Sequence, residues 1–258
     1  MAFIKFESVS ELVTGPKIMF ELPVHIGGKP LQIPETVTTT WVIMALFLIF
    51  FIFATKKLSK YPSTLQSILE IIYNFYDWLV GSVMGKTKNI FLVYIATLMS
   101  FILASNLVGF FPIPSISIKE GMWVIDYAFK APTSDLNTTF GLAVLTAVLF
   151  TYYGIKANGI SGHVKSFMAP TPIMLPLNLI SEAAKPVSIS MRLFGNALAG
   201  GVIMGIIYMF SSKLPLLPVV IAPLHLYFDL FSSLVQSFIF TMLSMIFIMQ
   251  AIGDGEVS

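Results

Sequence analysis

Long apolar stretches separated by short polar segments make up most of the chain. Three of them have the length and composition of a membrane-crossing helix: residues 39–54, 90–111 and 138–153. Residues 63–83 differ, because polar side chains recur there every three or four positions on an apolar background, at Gln66, Glu70, Asn74 and Asp77. This spacing predicts an amphipathic helix that lies at the membrane interface or packs against other helices.

The last two apolar stretches, residues 175–210 and 218–252, are too long to cross a membrane upright as continuous helices. At about 1.5 Å per residue the first would extend about 54 Å, whereas the hydrocarbon core is only about 30 Å thick. Either the helix breaks, at Pro186 or Gly195, or it lies strongly tilted. Because the connection between the two stretches is short, we expect a long, strongly tilted antiparallel hairpin.

The chain is therefore expected to be an all-α membrane protein, a single polytopic domain over residues 1–258 with about five membrane-embedded helices and one amphipathic helix. Only 11% of its residues are charged, against about 25% in soluble domains. The net charge of +2 argues against a nucleic-acid partner. The absence of cysteine excludes disulfides, thiolate nucleophiles and cysteine-based metal sites.

The distribution of lysines indicates how the helices are oriented. Seven lie in the segments that follow the first span, precede the second or join the third and fourth, against three in the opposite segments. Cytoplasmic loops are enriched in lysine and arginine, so we expect the former side to be cytoplasmic. Residues 1–38 then form an outer N-terminal segment, and the acidic C-terminal tail with Asp254 and Glu256 lies inside.

Arg192 is the only arginine of the chain, and it lies in the middle of an apolar run. A guanidinium stays protonated, so burial cannot neutralise it as it can a lysine. At bilayer depth its charge costs from about 3 to more than about 10 kcal/mol, depending on how far water and headgroups reach it. We therefore expect the charge to act on a partner, and the small residues beside it let another helix approach closely.

Polar residues follow one face of each arm of the predicted hairpin. At about 100° per residue, one sector of the first arm holds Asn178, Glu182, Lys185, Arg192 and Asn196. The second arm carries a similar row at His225, Asp229, Ser232, Ser233 and Gln236. Carboxylate, imidazole, hydroxyl and amide groups aligned on an apolar helix are what a water-filled path for protons or other cations needs.

These side chains also allow structural roles. Glu182 and Lys185 can form an ion pair near the membrane interface. The amides of the two arms can hydrogen-bond between helices, and His225 can lie among lipid headgroups. Arg192 can pair with Glu182 or with Asp229, which has no lysine or arginine within two turns on its own helix.

The run at residues 185–200, Lys-Pro-Val-Ser-Ile-Ser-Met-Arg-Leu-Phe-Gly-Asn-Ala-Leu-Ala-Gly, resembles the signature of subunit a of F-type ATP synthases. Three further motifs of that family are matched in the same order. They are Ser-Asn-Leu-Val-Gly-Phe-Phe-Pro at 105–112, Thr-Ser-Asp-Leu-Asn-Thr-Thr at 133–139 and Gln-Ser-Phe-Ile-Phe at 236–240. The resemblance covers most of the chain, and four motifs in order argue against coincidence.

The resemblance implies an ion-translocating stator subunit of a rotary ATP synthase, a multi-pass protein of the bacterial inner membrane. Two offset half-channels would carry protons or sodium ions to and from the carboxylates of the rotating c-ring, with Arg192 as the essential ring-facing charge. The implied partners are the c-ring subunits, the b subunit of the peripheral stalk, the rest of the complex and the lipid bilayer. The chain would be no enzyme on its own, with no cofactor or metal and, since no Gly-rich phosphate loop occurs, no nucleotide site.

Arg192, Asn196 and Gln236 match the residues that the family motifs imply, and Glu182 and Lys185 match the pattern found in many bacterial members. Many members also have a glutamate after the Ala-Gly of the motif and a histidine seven residues before the glutamine. This chain has Gly201 and Asp229 at those positions, which implies that the entry-side ionisable group has moved to Asp229. His225 has no counterpart in the family pattern, so its role rests on helical spacing alone.

Two other classes of protein stay open on the residues alone. A stand-alone cation-coupled secondary transporter would use the polar rows to bind substrate and ion, although the inverted repeats typical of that class are absent from the sequence. In a purely structural membrane scaffold, apolar substitution of the polar rows would be neutral or stabilising.

Overall fold

The structure is a computed structural model that describes residues 18–26, 29–56, 59, 62–108, 114–119, 122–127, 131–211, 221 and 223–253. Side chains are described within these ranges except at residues 18–32, 114–127, 208–211 and 229. The start of the predicted N-terminal segment, the connection at 212–220 and the acidic tail after residue 253 therefore lie outside the described residues.

Long α-helices and two short β-hairpins follow one another along the described chain. The helices are α1 (Glu35–Thr55), α2 (Thr64–Met84), α3 (Lys88–Leu107), α4 (Leu136–Phe167), α5 (Leu175–Ser211) and α6 (Ser232–Ile252). Short 3₁₀ turns precede α3, α4 and α5, and a π-helical segment, Leu226–Phe231, leads into α6. The hairpins pair β1 (Ile18–Ile26) with β2 (Lys29–Pro34) and β3 (Pro114–Lys119) with β4 (Met122–Tyr127), both antiparallel.

Five helical segments of the described chain are long and apolar enough to cross a membrane: Glu35–Thr55, Thr64–Leu107, Leu136–Phe167, Pro172–Ile207 and Pro223–Ile252. This confirms the expected all-α membrane architecture. The amphipathic α2 packs against α3, since the hydroxyls of Tyr76 and Ser100 hydrogen-bond at 2.8 Å. The two hairpins lie outside the five segments and are not predicted by the sequence pattern, because β3 and β4 fall in a segment interpreted as a polar loop.

Helix α5 runs unbroken from Leu175 to Ser211, although Pro186 lies inside it. Of the two possibilities left by the sequence, a break at Pro186 or Gly195 is therefore wrong. A continuous helix of 37 residues extends about 55 Å, well beyond the ~30 Å of hydrocarbon. A strong tilt of this helix in the bilayer stays a prediction.

Helix α4 extends past the predicted span of 138–153 to Phe167 and bends sharply at Gly159, where φ is 71° and ψ is 164°. This conformation is almost restricted to glycine. Just before the bend, Asn158 Nδ2 donates to the carbonyl oxygens of Ala251, at 3.2 Å, and Ile252, at 3.0 Å. The last carbonyls of a helix lack helical partners, so Asn158 satisfies the C-terminal end of α6.

The chain divides into two compact units. Unit 1 comprises Met1–Met44, Ile102–Thr139 and Arg192–Gln236, and unit 2 comprises Ala45–Phe101, Phe140–Met191 and Ser237–Ser258. Unit 2 has an apolar core that includes Leu79, Val80, Met84, Phe91, Ile95, Phe150, Met245 and Ile248. The buried residues of unit 1 include many polar ones, namely Glu35, Thr36, Thr39, Ser105, Thr133, Asp135, Thr139, Ser233 and Gln236. Buried polar groups need partners, so unit 1 is where a functional site is expected first.

We expect Gly159→Ala to destabilise the protein by about 1–3 kcal/mol, because alanine adopts a φ of 71° only under strain. No atom lies within 4 Å of the added Cβ, so strain rather than a clash would be the cause. Gly141→Ala is the matched control, since that glycine is also on α4, equally open, and in helical conformation. Thermal unfolding of the purified protein measures both variants, and equal midpoints would contradict this account of the bend.

Candidate functional site

The side chain of Arg192 is exposed on the surface of α5, whereas the next residue, Leu193, is fully buried. No described residue of unit 1 hydrogen-bonds or ion-pairs with its guanidinium. The side chain of Asp229, one of the two acids proposed as an internal partner, lies outside the described part of the chain. The other, Glu182, forms an ion pair with Lys185. Among the described residues of unit 1, the exposed guanidinium of Arg192 therefore has no counter-charge.

The surface around Arg192 in unit 1 is apolar. Exposed side chains on the same side of α5, counted at about 100° per residue, are Ala199, Ile203 and Ile206. The start of the second arm exposes Tyr227, Phe231, Leu234 and Val235. Arg192 is the only charged residue among the described residues of α5 within unit 1. One fixed positive charge thus lies on a surface otherwise suited to lipid or to another apolar helix.

A direct hydrogen bond joins the two predicted polar rows. Ser232 Oγ donates to Asn196 Oδ1 at 2.8 Å. One turn further along α5, a Cβ added to Gly200 would lie 3.8 Å from Cβ of Phe228, so the arms approach closely there. Position 196 of α5 thus lies beside position 232 of the second arm, and position 200 lies beside position 228, so the two arms run antiparallel. Continued for one more turn, this antiparallel register places Gln236 level with Arg192.

Gln236 is buried, with 6% of its surface exposed, and its Nε2 has no hydrogen-bond partner among the described residues. Leaving a buried amide donor unsatisfied costs about 1–3 kcal/mol. Such a group indicates a place for water, an ion or a partner's side chain. The alternative prediction is that Gln236 serves only to form a hydrogen bond between helices. No such bond of its Nε2 occurs among the described residues.

The remaining polar residues of the second arm lie on both sides of a change in helix geometry. Ser233 is buried at 4% exposure and His225 is half-buried. The backbone of Asp229 lies in the π-helical segment Leu226–Phe231. Because a π-helix has more residues per turn, the 100° rule that aligned His225 and Asp229 with Gln236 does not hold across this segment. Their alignment stays a prediction.

The N-terminal part of the polar row on α5 lies in unit 2, and its two charged side chains, Glu182 and Lys185, form an ion pair. Lys185 Nζ is 2.8 Å from Glu182 Oε2, and the two side chains are 22% and 23% exposed. The same ammonium lies over the rings of Phe150 and Phe247, at 5.6 Å and 5.3 Å from their centroids. A cation over the face of an aromatic ring is attracted by the ring, so these contacts help to hold the side chain in place. Asn178 instead donates to the carbonyl oxygens of Phe167 and Ala169, which is a structural role.

Glu182 and Lys185 open onto a cleft of unit 2 with a volume of about 270 Å³. Helix α4 contributes Asn158, His163 and Ser166 to its lining, and the end of α6 contributes Gln250 and Ala251. The ion pair is thus one wall of a polar cleft rather than an isolated surface pair. His163 was missed in the sequence because it lies beyond the predicted end of the third span, and no local pattern marks it.

A second polar group that the sequence did not single out occupies the interior of unit 1. Thr36 Oγ1 donates to Asp135 Oδ2 at 2.8 Å, and Asp135 Oδ1 accepts from the backbone N–H of Asn137, as an N-cap does. Thr133 donates to Asn106. Three buried polar atoms of unit 1 besides Gln236 Nε2 have no partner among the described residues: Thr38 Oγ1, Ser105 Oγ and Asn106 Nδ2. The sequence motifs at 105–112 and 133–139 could have indicated this polar group, and the hydrogen bond from Thr133 to Asn106 joins the two motifs.

The sequence profile of the family described as "ATP synthase A chain" matches residues 37–249. The chain is 44% identical to "ATP synthase subunit a, sodium ion specific" of Propionigenium modestum, over 95% of this chain and 88% of that protein. It is 36% identical to "ATP synthase subunit a" of Moorella thermoacetica, over 87% and 92% of the two chains. The corresponding protein of Desulforamulus reducens is 33% identical over 88% and 82%. The chain therefore belongs to the ATP synthase subunit a family, the ion-translocating subunit of the membrane sector, which has no catalytic nucleotide site.

Proposed function

We propose that the chain is the stator of ion translocation, with Arg192 facing the rotating c-ring and two offset half-channels leading cations to and from the ring. The observation that carries this proposal is the exposed guanidinium of Arg192, which lies on an apolar surface and has no partner among the described residues of unit 1. A permanent charge at membrane depth needs an opposite charge or water. A carboxylate delivered by a neighbouring membrane subunit supplies the opposite charge at the place where the cation lies.

The first path is proposed to run through the polar interior of unit 1. Thr38, Ser105, Asn106 and Gln236 each have a buried polar atom without a partner among the described residues, and water can bind at these atoms. The hydrogen-bonded pair of Asn196 and Ser232 continues the polar row beside Arg192. Asp229 would be the ionisable group of this path, since it lies on the second arm between His225 and Ser232.

The second path is proposed to open through the cleft of unit 2. Its wall carries a carboxylate, Glu182, held by Lys185, together with amide and hydroxyl groups of α4 and α6. These are the groups that solvate a cation when it passes between water and protein. The lysine distribution supports a cytoplasmic opening for this cleft, because Lys156 and Lys165 lie on α4 close in sequence to the residues that line it, on the side expected to be cytoplasmic.

This function requires the c-ring as the partner that presents the carboxylates and the b subunit as the element that holds the stator still. We further propose a bacterial inner membrane as the location, with the N-terminus outside and the C-terminus in the cytoplasm. A stand-alone transporter would instead move cations as a purified single chain. Transport by the isolated chain, without ring subunits, would favour that class.

A sodium ion is the favoured cargo over a proton, because the relative that is 44% identical over 95% of this chain is described as sodium ion specific. Amide and hydroxyl oxygens such as those of Asn196 and Ser232 suit a hard cation. ATP-driven uptake of labelled sodium into vesicles, stimulated by millimolar sodium, is the expected result. Pumping that is indifferent to sodium and acidifies the vesicles would assign the proton instead.

Arg192→Ala is expected to lower ATP-driven cation pumping and ATP synthesis by about 100-fold or more, because the charge that attracts the ring carboxylate is lost. Assembly of the complex should be unchanged, since no described residue of unit 1 binds this guanidinium. Lys86→Ala, which removes an equal charge from the exposed turn Gly85–Thr87, is the control. Coupled pumping that survives in Arg192→Ala would reject the proposed role.

The variant Gln236→Leu tests whether this amide serves cation flux rather than the stability of the protein. Because Nε2 of the buried amide has no partner among the described residues, its replacement should leave thermal stability unchanged or raise it, while cation flux falls about tenfold. Gln66→Leu is the matched contrast: Gln66 is also buried but bonds to both backbone groups of Ser59 and to Glu70. That variant should lose about 1–2 kcal/mol of stability and keep its flux per assembled complex. Normal flux in Gln236→Leu would leave the amide without a role.

Asp229→Asn is expected to slow cation movement through the outer half-channel only, since the amide cannot exchange a cation as a carboxylate does. The measurement is passive flux in complexes of known orientation, with the cation offered from one side at a time. Equal slowing from both sides would contradict the assignment of Asp229 to one path.

A further inference from the structure

The cleft of unit 2 holds a titratable group that the proposed path does not use. His163, on the part of α4 after the bend, lines the cleft together with Glu182 and Lys185 of α5. The end of α6 completes the lining through Gln250, Ala251 and Gly253. The imidazole therefore shares one small polar space with the ion pair.

The bend of α4 is what brings His163 there. Nine residues of straight helix would separate residues 154 and 163 by about 13.5 Å. Instead, a Cβ added to Gly154 would lie 3.1 Å from Cε1 and Nδ1 of His163. The turn at Gly159 folds the chain back, and the missing side chain of Gly154 leaves room for the ring. Phe167 then packs edge-on against the imidazole, with ring centroids 5.0 Å apart.

The other charges of the cleft are already balanced. Glu182 and Lys185 neutralise each other at 2.8 Å, and Asn158 donates to the carbonyls at the end of α6. No other acidic or basic side chain is among the residues that line the cleft within the described part of the chain. Lys165 is close in sequence but exposed and outside the lining, and the tail after Gly253 lies beyond the described residues. An imidazole is the side chain that gains charge between about pH 5 and 8.

We propose that His163 is a residue of the ion path at this cleft, whose neutral ring lets the cation pass and whose protonated ring repels it. The inference rests on the proposed function, in which the cleft is one opening of the path. Protonation would place a second positive charge beside Lys185 and give the described lining residues one more positive than negative charge. For a neighbouring charge in a water-filled cleft, the expected effect on cation flux is about threefold.

The test uses the intact ATP synthase in vesicles and measures ATP-driven cation pumping at different pH values on one side at a time. His163→Gln keeps a polar side chain of similar reach that cannot be protonated. The ratio of its pumping rate to that of the unchanged protein should rise about threefold as the pH is lowered on one side of the membrane, and should stay constant when the pH is lowered on the other side. Lys165→Gln, which removes a charge outside the cleft, should give a constant ratio.

A ratio for His163→Gln that stays constant with pH on both sides overturns the role of His163. A second variant keeps the test independent of the folding of the first. The chain has no cysteine, so His163→Cys gives it a single labelling site, and a cationic thiol reagent should lower the flux about threefold while an anionic one does not. Equal effects of the two reagents would also overturn the inference. If Arg192→Ala pumps normally, the proposed function fails, whereas an inactive Arg192→Ala with a constant ratio rejects only the role of His163.

Discussion

A guanidinium that cannot lose its proton is fixed on the surface of a membrane helix, and its own unit offers it no described counter-charge. The proposed arrangement of the site follows from this constraint. A charge of this kind is stable in a membrane only if water reaches it or an anion meets it. Because the surrounding surface of α5 and the second arm is apolar, that anion has to arrive on another apolar element. A rotating ring of membrane carboxylates fits this requirement, and family membership gives the complex in which such a ring would be met.

The two arms keep the charge and its neighbouring amide at the same level. The hydrogen bond between Asn196 and Ser232 fixes the register, and Gly200 allows the close approach that the bond requires. Gln236 follows one turn later, and its Nε2 finds no partner in the part of the chain that the structure describes. A purely structural helix pair would gain stability by replacing that amide with an apolar side chain. The buried amide is therefore better explained by a transient partner that accepts a hydrogen bond, such as water or the carboxylate of a neighbouring subunit.

The helices, the central charge and the family could be predicted from the sequence because each depends on local patterns. The length and periodicity of the apolar stretches predicted the membrane-spanning helices, and the single arginine, Arg192, indicated the site from the sequence alone. The bend at Gly159 could not be predicted, since an isolated glycine in an apolar helix usually remains helical. His163 depends on that bend, so its place in the cleft was hidden as well. The π-helical segment at Leu226–Phe231 was also missed, because a helical wheel assumes one angle per residue throughout.

The most direct test of the central claim is the proximity of position 192 to the ring carboxylate. Arg192→Cys introduces one cysteine into a chain that has none, and single cysteines can be placed in turn along the membrane helix of the ring subunit. Oxidative cross-linking of the assembled complex then reports which ring positions come within disulfide reach. We expect a maximum of cross-linking within one helical turn of the ring carboxylate. Cross-links confined to the ends of the ring helix, or none at any position, would contradict the central claim.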